Sequence, residues 1–525
     1  MDYSHDEPPD NNPDSDNAEL YRPPTPQSEG RSTDPTTSAA TSQSESNRGN
    51  ALEPPSGRPV PPAAGGTARR GLVPVLAFTG VAVAAMQTLT VPLVADLPRM
   101  LDTTASNAAW VITVTLLSGT VAAPIFGRLG DLYGKRRVLL AALGLMVLGS
   151  LLSGFTSGLV PMVAGRALQG LALGAIPLGI GIIWEQVPPE RRSMAAAFMS
   201  SSLGIGGALA IPLAAFIAQN FDWHWLFFGT AVLGALAMVA IFVVVPEGQR
   251  VVGRFDVTGA LGLTLGLTTL LLAVSKGSEW GWGSVTTVGL LVATVAILVL
   301  WSLFELRVKE PLLNLRTASR RPVLLTNLAA ITVGMAFFVV TLVLPQLLQL
   351  PRSTGYGMGM SMVVAGVCGA VMGLAMMVVA PLAGRLTAAR GPKTTLIIGL
   401  VLLAVAYLAG PALLGAVWQV VLVAALAGAG VGTAYAAMPG IILNAVDPAE
   451  TGAANGLNQL MRSVGTSISS AIIGAVLAGT AQRFGAVELP TLEGFRISFV
   501  IAAGVALVGL ILAAFLPGHT RGRAR

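Results

Sequence analysis

From Gly71 to Leu516 the chain is a train of apolar stretches, each close to the roughly 20 residues that a helix needs to cross a hydrocarbon core of about 30 Å. That pattern decides what the chain can fold into. A backbone in lipid has no water to bond, so only helices and closed barrels span it, and these runs show no period-two alternation. Fourteen helical spans are expected, near 71–94, 108–126, 138–156, 159–183, 194–217, 225–245, 257–275, 285–304, 323–349, 358–384, 395–415, 417–442, 453–479 and 495–516. The fold class is therefore an all-α membrane protein. Only 11% of residues are charged, against about 25% in a soluble protein, which excludes a soluble enzyme or scaffold.

Residues 1–70 differ from the rest: they are rich in Pro, Ser, Asp, Asn and Thr and poor in groups that could build a core, so a disordered acidic tail is expected. Eleven acids against four arginines lie within residues 1–68. The opening is acidic and lacks an early apolar core, which speaks against a signal peptide. The single Cys368 and the scattered His5, His224 and His519 make no metal cluster, and neither a metal nor another cofactor is expected.

Lysine and arginine set the orientation. With a cytoplasmic N-terminus, twenty-one of them fall on inner connections and ends and five on outer ones (Arg99, Lys276, Arg352, Arg483 and Arg496). That is a positive-inside bias with both termini inside, 517–525 forming a short basic tail, and it explains the basic charge without nucleic acid.

The chain also repeats itself. Ala123-Pro124-Ile125-Phe126-Gly127-Arg128-Leu129 returns as Ala380-Pro381-Leu382-Ala383-Gly384-Arg385-Leu386, and Gly134 is matched by Gly391. Spans 2 to 5 thus correspond to spans 10 to 13. The expected organisation is two pseudo-symmetric six-helix bundles, 71–245 and 323–516, with two inserted helices in 246–322. Two bundles about a cleft suit alternating access.

The segment Gly127-Arg128-Leu129-Gly130-Asp131-Leu132-Tyr133-Gly134-Lys135-Arg136-Arg137, read as an inner loop, resembles the loop motif of the major facilitator superfamily. Its carboxylate can dock at the positive end of a helix, for which the start of span 13 is the natural partner. Such a latch, using Gly127, Arg128, Asp131, Gly134, Lys135 and Arg136, would favour the outward-open state; its cation is Arg128 or Lys135, because Leu132 stands where the family often has arginine. Span 4, with Arg166, Gln169, Gly170 and Gly174, resembles the superfamily motif that places an arginine deep in the bundle. An arginine in a membrane is costly unless it faces a cavity or partner, so Arg166 is a coupling or substrate-site residue or else a packing-satisfied one. Arg462 in span 13 either joins it or snorkels.

Phe255-Asp256-Val257-Thr258-Gly259, Glu279-Trp280-Gly281-Trp282, Leu344-Pro345-Gln346-Leu347-Leu348-Gln349 and Trp223-His224-Trp225-Leu226-Phe227 are similar to the 14-spanner drug:proton antiporters over residues 71–516. The resemblance implies proton-driven efflux of antibiotics from the bacterial inner membrane, with no obligate protein partner, and not an enzyme. Two departures weaken it. Span 1 lacks the family's aspartate, and span 5 keeps Gly207 and Pro212, expected as hinge or packing residues, but not the full exporter motif.

Beyond the tail, every Asp and Glu sits at a span end or in a connection. Organic cations need a buried opposite charge, so the expected cargo is a small neutral or anionic amphipathic molecule. Proton carriers are then sought at Asp96, Glu185 and His224. Cavity candidates are Gln87, Thr113, Gln169, Ser201 and Asn327, with Gln346, Tyr435, Asn455, Asn458 and Arg462. Uptake or facilitated diffusion of a metabolite, and a membrane sensor built on a transporter fold, are the alternatives.

Overall fold

A computed structural model describes residues 71–90, 93, 96–484 and 487–517. The tail expected at 1–70 lies outside the described residues, as does the basic tail beyond Pro517. Among the described residues, thirteen helices are long and apolar enough to cross a membrane, and a further apolar helix, Leu72–Thr88, has 17 residues. They are α1 Leu72–Thr88, α2 Trp110–Tyr133, α3 Lys135–Gly154, α4 Leu159–Gln186, α5 Pro189–Asn220, α6 His224–Val244 and α7 Val257–Trp280. The series continues with α8 Val285–Glu305, α9 Arg321–Gln349, α10 Met362–Arg390, α11 Pro392–Ala409, α12 Val417–Leu443, α13 Thr451–Gly479 and α14 Leu492–Ala514. Each expected span has its helix.

Where the bounds differ, polar residues are the reason. The motif expected as an inner loop is helical: α2 runs on to Tyr133 and α3 starts at Lys135. Gly134 alone links them, at φ 100° and ψ 126°, a backbone that disfavours any side chain. Gly391 does the same between α10 and α11, at φ 86°. Charged residues here carry α2 and α10 past the apolar segment, which hydropathy alone cannot register. A second difference is an antiparallel hairpin, β1 Ala481–Phe484 with β2 Val487–Pro490, in the connection from α13 to α14.

Helix contacts repeat with an offset of eight. Helix α1 packs on α5 and α6, α3 on α4 and α6, and α2 on α4; likewise α9 packs on α13 and α14, α11 on α12 and α14, and α10 on α12. The halves meet along two equivalent seams, α2 with α13 and α5 with α10, while α7 and α8 pair with each other and α7 leans on α13 and α2. Leu209, Leu236, Val239, Phe242, Val292 and Val295 are more than half exposed, forming an outward apolar surface that suits lipid tails. The face carrying the basic connections, including Gly134 and Gly391, is termed inner below.

Candidate functional site

Asp131 sits in the last turn of α2 with 1% of its surface exposed. Its Oδ1 accepts from the Gly452 N–H and its Oδ2 from the Ala453 N–H, each at 3.0 Å. These amides open α13, where the first-turn N–H groups have no partner within the helix and the helix dipole favours an anion. The approach depends on small residues. A methyl on Gly127 would meet Gly452 O at 2.2 Å, and one on Gly456 would meet Ala123 O at 2.4 Å. The α2–α13 seam is therefore backbone against backbone.

The cation beside Asp131 is Lys135, one turn on in α3. Its Nζ lies 2.8 Å from Asp131 and 2.5 Å from Glu185, and the residue is 2% exposed. Glu185, expected as a proton carrier, thus belongs to this inner cluster, at the far end of α4 from Arg166; nineteen residues of helix separate them by about 28 Å. Arg128 does not pair with Asp131. Its Nε is buried without a partner, and the residue lines an inner cavity of about 260 Å³ with Lys309, Glu310 and Asn314. Arg136 turns to α6, donating to Phe242 O and lying over the Phe242 ring. Of the six residues grouped from sequence, Asp131, Gly127 and Lys135 make the contact, and Gly134 shapes the turn.

Arg166 lies two turns from the outer end of α4 and is fully enclosed in the bundle at 1% exposure. Its guanidinium donates to Met86 O, Val111 O, Gln169 Oε1 and Thr90 Oγ1 at 2.8–3.3 Å. Gln169 Nε2 in turn donates to Ser150 Oγ, which also receives Thr230 Oγ1. Every acceptor is neutral. Among the described residues no carboxylate bonds to Arg166. Gly170 and Gly174 bring α4 against α2, where added methyls would meet Thr115 O at 2.4 Å and the Phe126 ring at 2.7 Å.

A second polar cluster lies in the other half. Arg462 on α13 is 5% exposed; its guanidinium stands 4.5 Å from the centre of the Tyr435 ring on α12, and Nη2 donates to Gln459 Oε1. Its Nε is buried and has no acceptor. Asn458 Nδ2 donates to Asn327 Oδ1 at 3.1 Å, joining α13 to α9, and Asn455 Nδ2 is a second buried donor without a partner. Arg462 therefore does not snorkel. Tyr435 O also accepts from Ser200 Oγ across the α5–α12 contact.

The remaining candidates scatter. Gln346 lies near the outer end of α9, nineteen residues from Asn327, and Gln87 lies at the outer end of α1, both half-buried. Thr113 is half-buried on α2, and buried Ser201 turns its hydroxyl back to Phe198 O. Asp96 is exposed. His224 pairs with Asp222 at 2.5 Å outside the bundle core, and the bonds from His224 hold the Asp222 carboxyl below its ordinary range. Gly207 makes no tight contact; Gly204 does, its carbonyl 2.0 Å from where a methyl on Gly373 would sit, with Pro212 beside Gly366 further along the same seam. Sequence reasoning missed Gly204, Ser150 and Thr90, since small and hydroxyl residues are too common in membrane helices to stand out.

The sequence profile of the Major Facilitator Superfamily matches residues 76–379 and 326–525. The chain is 25% identical to Multidrug resistance protein 3 of Bacillus subtilis (strain 168) over 382 residues, which cover 70% of this chain and 72% of that protein. It is 29% identical to the Tetracenomycin C resistance and export protein of Streptomyces glaucescens over 390 residues, 71% of this chain and 69% of that one. Among solved structures, the human organic anion transporter MFSD10 (TETRAN) aligns over 85% of this chain and 99% of its own, with a TM-score of 0.59 at 16% identity, a likeness of fold alone.

Proposed function

The chain belongs to the Major Facilitator Superfamily, and we propose that it is a proton-driven exporter of a small neutral or anionic amphipathic molecule in a bacterial inner membrane, with both termini in the cytoplasm. Export is supported by relatives named for multidrug resistance and for resistance and export. The cargo's charge rests on one observation. Among the described residues no carboxylate lies in the middle of a span; the two interior guanidiniums differ, Arg166 being saturated by neutral acceptors while Arg462 keeps a buried N–H without a partner. A buried donor left unmade costs about 1–3 kcal/mol, which an anionic or carbonyl-bearing ligand would recover. A lipophilic cation would instead meet the Arg462 charge without a counter-ion.

In this cycle Asp131 holds the inner face shut against α13, so the halves open outward; breaking that contact lets them open inward. The testing experiment is uptake into inverted vesicles energised with a proton gradient, comparing acidic and neutral antibiotics with quaternary ammonium dyes. Accumulation of the acidic and neutral compounds, collapse by a protonophore and selective loss of the acidic ones in Arg462→Gln are the expected results. Preferential accumulation of the dyes would overturn the cargo assignment. Flux unaffected by the protonophore would overturn the coupling.

A further inference from the structure

At the inner end of the inserted helices, two carboxyl groups meet. Asp256 caps α7, its Oδ1 accepting from the Gly259 N–H at 2.8 Å. Glu305 ends α8; it is 2% exposed, and its Oε1 accepts from the Leu313 N–H at 2.7 Å. The other oxygen of each, Asp256 Oδ2 and Glu305 Oε2, is buried and receives no donor. Both lie over Gly259, where an added methyl would meet them at 2.3 Å and 2.7 Å, and the two carboxyl groups are within hydrogen-bonding reach of each other.

Among the described residues no lysine, arginine or histidine forms an ion pair with either carboxyl; Arg128 of α2 and Lys309 line the inner cavity that Leu312 and Leu313 border. Asp256 acts on Glu305 as a like charge, and the backbone amides of Leu312 and Leu313 lie against its carboxyl. Helices α2 and α13 present apolar side chains to this corner, Val121 and Ile125 from one and Ala453, Leu457 and Leu460 from the other. The nearby Glu310 is taken by the Arg254 N–H. Two ionised carboxylates cannot share such a site, whereas a carboxyl and a carboxylate can hold one proton between them. We infer that Asp256 and Glu305 form a proton-binding site, one proton bridging Asp256 Oδ2 and Glu305 Oε2.

The bridge closes the base of the inserted pair. Trp301 Nε1 donates to Gly259 O at 2.8 Å, and Leu312 and Leu313 pack with Ala260 and Leu263 against Val121 and Ala453. Ala453 is also the residue whose amide holds Asp131. Loss of the proton leaves two like charges buried together and pushes this base apart beside the latch, so an alkaline inner side favours inward opening. The site does not depend on the cargo or on proton-driven export, and its test needs neither.

Glu305→Gln mimics the proton-bound form: the amide oxygen still accepts from Leu313 and the amide nitrogen donates to Asp256 Oδ2. Asp256→Asn is the converse mimic, keeping its oxygen on Gly259, and serves if the first variant fails to fold. The measurement is the unfolding midpoint of the purified full chain from about pH 4.5 to about pH 8.5, with infrared detection of a protonated carboxyl. The native state holds the extra proton, so wild-type stability falls as pH rises, by about 1 °C per unit, until the proton leaves, and is level above. Either mimic should lack this fall, and Glu305→Gln should lose the protonated-carboxyl band seen in wild type at neutral pH. Parallel pH profiles for wild type and both mimics, or a wild-type spectrum with no such band, would overturn the site.

Discussion

Asp131→Asn removes the charge from the α2–α13 contact while keeping its shape. The carboxylate accepts two amide hydrogen bonds at 3.0 Å and faces Lys135 at 2.8 Å. An asparagine can accept from one of Gly452 and Ala453, but its amide group then points N–H at the other. A hydrogen bond to a charged group contributes about 1.5–3 kcal/mol net; losing one, and setting donor against donor, costs the inner-closed state about 2–3 kcal/mol. Lys135 keeps Glu185, so no isolated charge is left behind. The inner-open fraction should rise about 30- to 160-fold. Thr451, 5% exposed beneath the contact, reports it. In a Cys368→Ser, Thr451→Cys background, alkylation by an impermeant maleimide on inverted vesicles should accelerate by that factor, provided the face opens and closes faster than the reagent reacts. A rate within twofold of the Asp131 parent, with the thiol fully reactive after unfolding, would refute the latch.

Gly127→Ala should open the same seam by overpacking, because its methyl meets Gly452 O at 2.2 Å; a cost of about 1–3 kcal/mol should raise the rate at position 451 as Asp131→Asn does. Arg166→Lys should lower the unfolding midpoint, since a lysine cannot reach the four acceptors that Arg166 spans, and should leave the pH profile of transport unmoved, as no carboxylate pairs with it. On the outer face, bonds from Lys276 and Ser106 hold the Glu279 carboxyl below its ordinary value of 4.5. A depressed carboxyl stabilises above that value and loses its contribution as pH falls through the lowered one, so Glu279→Gln should be less stable than wild type at neutral pH and converge with it in acid.

Apolar length made the fourteen spans legible, because lipid leaves a backbone of that composition only one spanning form. The latch was legible too, since Asp131 is a rare charge at a fixed distance from glycines, and the repeat pointed to α13 as its partner. Neither cue ranks two nearby cations, so Lys135 and Arg128 could be separated only once α3 was seen to start at Lys135 and aim it inward. The partners of Arg166 stayed hidden for a related reason. Its cost in a membrane demands partners, and sequence does not reveal that two of them are carbonyls of α1 and α2. The Asp256–Glu305 contact was invisible because forty-nine residues and a whole hairpin of helices separate its members.

The repeat also implies two equivalent inner seams, yet among the described residues only the α2–α13 seam holds a buried carboxylate. Ala388 occupies in α10 the place of Asp131 in α2, counting from Gly391 and Gly134. The helix facing it supplies a reason: α5 opens with Pro189, which has no N–H, and Glu190, so a carboxylate at 388 would find fewer donors and a like charge. That seam closes by packing instead, with Gly384 against Met194 and Gly373 against Gly204. If each half moves as one body about its own core, the seams must part together, although the force resides in one. A thiol from Thr387→Cys, at a residue 7% exposed on the α5–α10 seam, should then gain reactivity in Asp131→Asn by the same factor as the thiol at position 451. Acceleration at 451 alone would mean that the start of α13 frays locally, and that Asp131 orders a helix end instead of governing which way the halves face.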